Sequence, residues 1–275
     1  MSSKQPVIKW SGSKRLQATR IISYFPKEFG TYFEPFLGGG SVLLQLLPTK
    51  AVCCDVNASL IDFWNRLKDN PQKLADDYEY NWNELQKDWT YFLKVRERYN
   101  KQQSGSDLLF LSRTCVNGLI RYNKKGEFNN SLHYSRKGIE PDTLCKLLIE
   151  TSSKIQNYTF ICSDYFSILP LIRKDDLVYL DPPYYHTKSM YYGKIDYQKL
   201  WDFINELKKK DAFFALSFDG TNSKRDYSIN VPGNLFEQHL YISSGKSTFN
   251  KVIDDTMVEN QESLFLSEGM FFKKD

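Results

Sequence analysis

The segment from Tyr32 to Leu47 constrains the fold most. Tyr32-Phe33-Glu34-Pro35-Phe36 runs into Leu37-Gly38-Gly39-Gly40-Ser41 and on into Val42-Leu43-Leu44-Gln45-Leu46-Leu47. A short apolar run reads as a buried strand, the glycines permit a tight turn, and the apolar residues beyond them read as a helix. Strand, glycine turn and helix in that order let a ligand approach bare backbone at a helix N-terminus. The next apolar run, Ala51-Val52-Cys53-Cys54, ends on Asp55, about twenty residues beyond Glu34, where an acid would hold the hydroxyls of a ribose. The dinucleotide fingerprint is incomplete. Gly38 and Gly40 fit its first two glycines, but the third position falls on Leu43, which disfavours a pyrophosphate-binding dinucleotide site. Without any ligand, the glycines would form a flexible loop and Asp55 would cap a helix starting near Ala58.

The first and last thirds of the chain alternate short apolar runs with amphipathic stretches, the pattern of a doubly wound α/β sheet. Strands are expected at 32–36, 51–54, 159–162, 177–180 and 213–217, with 236–242 and 263–266 as a terminal pair. Helices are expected at 14–24, 41–47, 59–68 and 197–209. From 61 to 158 the character changes. Trp64, Tyr78, Trp82, Trp89, Phe92 and Tyr99 are interleaved with charges, which reads as a helical insertion whose rings serve either its own core or base stacking. The stretch 121–129 reads as a hairpin tipped by Lys124-Lys125-Gly126. The expected division is therefore 1–60 and 159–275 for one α/β body and 61–158 for the insertion.

Asp181-Pro182-Pro183-Tyr184 follows the apolar run Leu177-Val178-Tyr179-Leu180 and so stands where a buried strand ends. Two prolines fix φ and lack N–H groups, so the corner is stiff and its carbonyls point outward. The Asp181 side chain and the Pro182 carbonyl can accept the hydrogens of a planar amine, and the Tyr184 ring can stack on its base. Taken alone, the same four residues also make a strand-ending turn with a tyrosine packed beneath it.

The bulk properties narrow the class. A chain of 275 residues with 41 % hydrophobic and 25 % charged residues is ordinary for a soluble globular protein. No membrane segment is expected, and Met1-Ser2-Ser3-Lys4-Gln5-Pro6 carries no apolar core, so a cytoplasmic protein without a secretory signal is expected. The five cysteines form no C-x-x-C pair and the three histidines are scattered; no metal site is expected. A net charge of +4 does not by itself mark a nucleic-acid binder. The clusters Lys124-Lys125, Arg136-Lys137 and Lys224-Arg225 fall in turn-like segments suited to phosphates, whereas Lys208-Lys209-Lys210 reads as the cationic end of a helix.

Four motifs in order now resemble those of S-adenosylmethionine-dependent DNA adenine-N6 methyltransferases of the Dam class. They are Ile8-Lys9-Trp10-Ser11-Gly12-Ser13-Lys14, Phe36-Leu37-Gly38-Gly39-Gly40-Ser41, Arg113-Thr114-Cys115-Val116-Asn117-Gly118-Leu119-Ile120-Arg121-Tyr122-Asn123-Lys124-Lys125-Gly126-Glu127-Phe128-Asn129, and Asp181 to Tyr184. The resemblance implies a Rossmann-like class I methyltransferase sheet with an inserted, mainly helical target recognition domain containing a β-hairpin. It implies S-adenosyl-L-methionine as cofactor, with Lys9, Trp10 and Lys14 over its methionine end and Phe36, Gly38 and Gly40 close by. Asp55 would take the ribose and Asp164-Tyr165 the adenine ring, although Asp164 also reads as a turn residue. Asp181, Pro182, Pro183 and Tyr184 would be catalytic, Asp181 also lying next to the cofactor. Arg121, Tyr122, Asn123, Lys124 and Lys125 would contact duplex DNA, the first three at bases and the lysines at phosphates. The chain departs from the family after the hairpin, where Asn129-Asn130-Ser131-Leu132-His133 replaces N-x-P-x-G.

The implied partners are double-stranded DNA and a cognate restriction endonuclease, for a monomer or weak dimer. Cytosine-N4 methylation uses the same physics, though serine is commoner there in place of the first acid. A catalytically silent DNA-binding module would keep the hairpin without the chemistry, and a small-molecule enzyme would leave the hairpin unused.

Overall fold

The computed structural model describes residues 5–183, 195–218, 221–222, 225–226, 231–246 and 259–270. After a short helix α1 (Ala18–Ile22), the apolar run of the opening motif becomes β1 (Tyr32–Glu34), buried throughout. Pro35, which has no N–H for a ladder, ends it. Then come α2 (Ser41–Leu46), β2 (Ala51–Asp55) and α3 (Ala58–Asp69). The helices α4 (Pro71–Lys87), α5 (Tyr91–Gln102), α6 (Gly105–Thr114) and α7 (Pro141–Lys154) follow. The chain returns through β3 (Tyr158–Cys162), β4 (Leu177–Leu180), α8 (Tyr197–Lys209) and β5 (Phe213–Phe218). A two-residue pair, β6 (Thr221–Asn222) with β7 (Arg225–Asp226), stands apart from the main sheet, which β8 (Gln238–Lys246) and β9 (Glu259–Leu266) complete.

The sheet order is β3-β2-β1-β4-β5-β9-β8. The first five strands are mutually parallel, and β9 enters antiparallel to both β5 and β8. Strand order reverses between β1 and β4, and ligands bind at the carboxyl ends of strands beside such a reversal. Alternation divides the core between the two faces. Tyr32, Leu177 and Tyr179 join the cluster containing α3 to α7, while Phe33, Val178 and Leu180 join the one under α8. This is the doubly wound α/β architecture expected from the sequence.

Local chemistry sets the element ends. Asn57 caps α3 by accepting from Leu60 N at 3.0 Å, and Asn70 caps α4, whose first residue is Pro71. α3 runs through residue 61 without a break. The helix expected over 14–24 is shorter: the Lys14 carbonyl accepts from both Gln17 N and Ala18 N in a turn, and regular helix starts only afterwards. Trp64, Tyr78, Phe92 and Tyr99 are fully buried, so these rings are core, whereas Tyr80 and Trp89 are exposed. Lys208 and Lys209 fall in the last turn of α8; Lys208 donates to Asn234 O and Lys210 to Ile172 O, carbonyls outside that helix.

Candidate active site

The turn after β1 is built by close packing. Gly38 and Gly40 have φ of +49° and +60°. A Cβ on Gly40 would stand 2.7 Å from the Trp64 ring, and one on Gly38 would stand 3.0 Å from Trp10 Cδ1; the loop therefore needs glycine for both conformation and space. Trp64 Nε1 donates to Gly38 O at 3.1 Å and fixes the loop from below. Trp10 covers its other side, and Ser13 Oγ lies 2.7 Å from Ser41 Oγ.

Above this loop the strand ends enclose a cavity of about 430 Å³, within the usual size for a small-molecule site. Five acids line it: Glu34 from β1, Asp55 from β2, Asp164 after β3, Asp181 after β4 and Asp196 at the N-cap of α8. Trp10, Lys14, Phe36, Gly38, Gly40 and Tyr165 also line it, as do Pro182 and Pro183. Tyr184 lies outside the described residues.

The acids differ in environment. Asp55 accepts from Gly38 N at 3.1 Å and Asn57 N at 3.0 Å. Burial raises its carboxyl, and these backbone donors oppose the shift. It is Asn57, not Asp55, that caps α3. Asp164 accepts from Phe166 N at 2.9 Å and pairs with Lys199 at 2.9 Å, so its turn role and its place at the cavity coexist. Lys199 Nζ also lies 5.4 Å from the Tyr165 ring centroid, and Tyr165 leans on Phe36 at 5.1 Å, making an aromatic wall. The Tyr165 hydroxyl is buried without a hydrogen-bond partner among the described residues.

Asp181 pairs with the buried Lys14 at 3.0 Å. Burial pushes its carboxyl up to about 6; Lys14 pulls it down, and Glu262 adds to the rise. Lys14 stays cationic, its two carboxylate neighbours Asp181 and Glu262 outweighing its own burial. Glu34 is pushed up to about 8 by burial, though it accepts from the Tyr32 hydroxyl at 2.7 Å. Sequence reasoning used Glu34 only as a landmark and missed Lys199 and Glu262. An acid at the end of β1 was the available signal for the first; nothing local marks the other two.

Two expected residues stand elsewhere. Lys9 does not line the cavity: a Cβ on Gly118 would meet its Cδ at 2.5 Å, so its stem packs on the inserted segment. Its charged neighbours are Arg113 and Arg136, which with burial lower its pKa. Tyr122 lines the cavity instead of standing among the exposed cations. Its hydroxyl accepts from Asn57 Nδ2 at 3.2 Å and lies 2.8 Å from the Tyr99 hydroxyl.

The hairpin itself is a braced turn. Tyr122 and Phe128 form its bridge, and Asn123 N donates to Glu127 O at 2.8 Å. Asn123 Oδ1 accepts from Lys125 N and Glu127 N, while its Nδ2 donates to Glu127 Oε2. The polar atoms of Asn123 therefore hold the turn. Asn100 clamps the hairpin to α5 by bonding both backbone polar groups of Phe128. Arg121, Lys124 and Lys125 are exposed. Among the described residues no group of acids, histidines or cysteines is placed to hold a metal, and no helix is long and apolar enough to cross a membrane.

An acid and two prolines after β4, a glycine turn after β1 and a cationic hairpin beside them are the parts a DNA amine methyltransferase needs, and comparison with known proteins agrees. The chain is 30% identical over 264 residues to the type II methyltransferase M.MjaIII of Methanocaldococcus jannaschii, covering 85% of this chain and 88% of that protein. It is 30% identical over 235 residues to the type II methyltransferase M1.LlaDCHI of Lactococcus lactis subsp. cremoris, covering 78% and 80%. To the DNA adenine methylase of Serratia marcescens it is 28% identical over 269 residues, covering 92% and 95%. The cytosine reading is not favoured by these names. Residues 10–260 match the model of one family, and the chain belongs to it: the D12 class N6 adenine-specific DNA methyltransferases.

Proposed function

We propose that the protein methylates adenine N6 in duplex DNA at this cavity, with S-adenosyl-L-methionine as donor and the target base turned out of the helix. The observation that supports it most is the convergence of Asp55, Asp164 and Asp181 on one cavity beside the sheet's reversal point. The residues suit the cofactor. Gly38 exposes backbone where a side chain would not fit, Asp55 has carboxylate lone pairs beyond those used by two N–H groups, and the Phe36–Tyr165 wall offers an aromatic face for an adenine. When bound, this cofactor supplies an electrophilic methyl group on a sulfonium.

The chain's residues then act on the other reactant. An exocyclic adenine amine is a poor nucleophile because its lone pair is delocalised into the ring. Asp181 and the Pro182 carbonyl accept its hydrogens and so favour a pyramidal nitrogen whose lone pair faces the methyl group. Lys14 holds Asp181 in place, and Pro182 and Pro183 keep the acceptors rigid. Tyr184 is the stacking platform. Catalysis of this kind rests on proximity and preorganised acceptors. A base inside a duplex cannot reach such a cavity, so it must be flipped.

Within the inserted segment, taken as 61–158, Arg121 is assigned to base reading and Lys124 and Lys125 to phosphates. Tyr122 and Asn123 are assigned to the cavity wall and the turn, and Lys9 to the inserted segment's side of the site. Names of relatives include type II methyltransferases, which supports a restriction–modification setting, with a cognate endonuclease as partner, in the cytoplasm. The test is incubation of the purified protein with duplex DNA and methyl-labelled cofactor, followed by nucleoside mass spectrometry. N6-methyladenine is expected; N4-methylcytosine or no transfer would overturn the reading.

A further inference from the structure

Lys14 is 4 % exposed, and its ammonium is shared between carboxylates from two different strands of the sheet: Asp181 Oδ1, after β4, at 3.0 Å and Glu262 Oε2, on β9, at 3.4 Å. Glu262 lies on β9 opposite Ile242 of β8, one residue before Ser263, which faces Phe218, the last residue of β5. Orienting the amine requires Lys14 and Asp181 and has no use for a second acid on the same cation. Glu262 is only partly buried, yet it sets a second negative charge on the cation that holds Asp181.

We propose that Glu262 is a positioning residue for methyl transfer, which divides the charge of Lys14 and so keeps Asp181 able to accept hydrogen, and finally a proton, from the adenine amine. The proposal rests on the assignment of Asp181 as the amine's acceptor. As the N–C bond forms and the S–C bond breaks, N6 becomes cationic. An N–H bond then breaks, its electron pair stays on nitrogen, and the proton passes to Asp181 and from there to water. With Lys14 paired to Asp181 alone, the carboxylate would be neutralised and a poor acceptor. With Glu262 present, the Lys14 ammonium is shared between two carboxylates, and less of its charge is spent on Asp181 where the transition state places positive charge.

The groups facing Asp181 support this balance. Lys14 lowers its pKa and Glu262 raises it. Glu34, hydrogen-bonded to Tyr32, faces it from β1, and Tyr179 of β4 lies close enough to act on Lys14. Removing the Glu262 charge therefore lowers the Asp181 pKa.

The test compares the full-length wild type with Glu262→Gln and Asp181→Asn, measuring turnover against pH with cofactor and duplex DNA saturating. For Glu262→Gln, the acidic limb is expected to move to lower pH by about one unit and turnover near neutrality to fall about tenfold. Cofactor affinity and melting temperature should stay near wild type. A merely structural glutamate would lower melting temperature and leave the limb in place. If Asp181→Asn is inactive while the Glu262→Gln profile superimposes on wild type, the role of Glu262 is overturned. If Asp181→Asn keeps wild-type turnover, the assignment of Asp181 itself fails. Should Glu262→Gln not fold, Glu262→Asp decides: its charge stands further off, so the limb should shift partway, and an unmoved limb overturns the proposal.

Discussion

Asp55 and Asp181 are both acids at the ends of parallel strands, yet their neighbours separate their tasks. Asp55 is held by backbone N–H groups, a setting suited to receiving hydroxyls. Replacing it with alanine should weaken cofactor binding by roughly 1.5–3 kcal/mol, the scale of a charge-assisted hydrogen bond. Calorimetric titration checks this, and unchanged affinity would place the ribose elsewhere. Asp181 faces a cation and sits in the corner made by Pro182 and Pro183. Asp181→Ala should lose on the order of 10²-fold or more in turnover while still binding cofactor and DNA; near-normal turnover would remove it from the chemistry. Both acids were legible in the sequence because each ends an apolar run, and a strand's end is a local property. Glu262 was not legible. Its place beside Lys14 follows from an antiparallel pairing of β9 with β5, and no periodicity near residue 262 records that pairing.

Whole elements show the same division between local and tertiary signals. β4 and α8 match their expected bounds, 177–180 and 197–209, since an unbroken apolar run and an amphipathic stretch capped by Asp196 need no tertiary information. The hairpin of 121–129 was legible as a turn from Lys124-Lys125-Gly126, but the directions of its side chains were not. Tyr122 turns inward because Asn57 and Tyr99 offer it partners, and Asn123 turns back on its own loop. This changes what substitution should do. Arg121→Ala should relax the methylated motif at one position, a loss of about 1–3 kcal/mol of discrimination. Lys124→Ala and Lys125→Ala should weaken all sequences together and flatten the salt dependence of binding. Asn123→Ala should lower melting temperature with the motif retained. Methylome maps of these variants, read beside thermal melts, check the assignment. Recognition does not reside in the hairpin if Arg121→Ala keeps the parent motif and stringency.

On the scale of the whole molecule, the raised carboxyls of Glu34 and Asp181 oppose the fold's own stability. Glu34 is enclosed by Tyr32, Cys53 and Asp181, and burial lifts its carboxyl from an ordinary 4.5 to about 8. A carboxyl raised on folding binds its proton more tightly in the native state than in the unfolded chain. Its contribution to stability is therefore complete below about 4.5 and is lost as pH rises through about 8. Asp181 acts in the same direction over a lower window, from 3.8 to about 6. His239 acts in the opposite direction, since burial lowers it from 6.5 and stability recovers as pH rises towards that value. The melting curve of the wild type alone therefore mixes these terms, whereas a difference between proteins isolates one. Glu34→Gln keeps an acceptor for the Tyr32 hydroxyl and removes the titration. Between pH 5 and pH 8, the ligand-free wild type should lose stability relative to this variant, by at most ~1.4 kcal/mol per pH unit, the limit for a single proton. Thermal melts of both proteins at several pH values and constant ionic strength measure it. Parallel curves would mean that Glu34 is ionised in the folded protein at neutral pH; converging or crossing curves would mean that the cavity holds a proton there until a ligand displaces it.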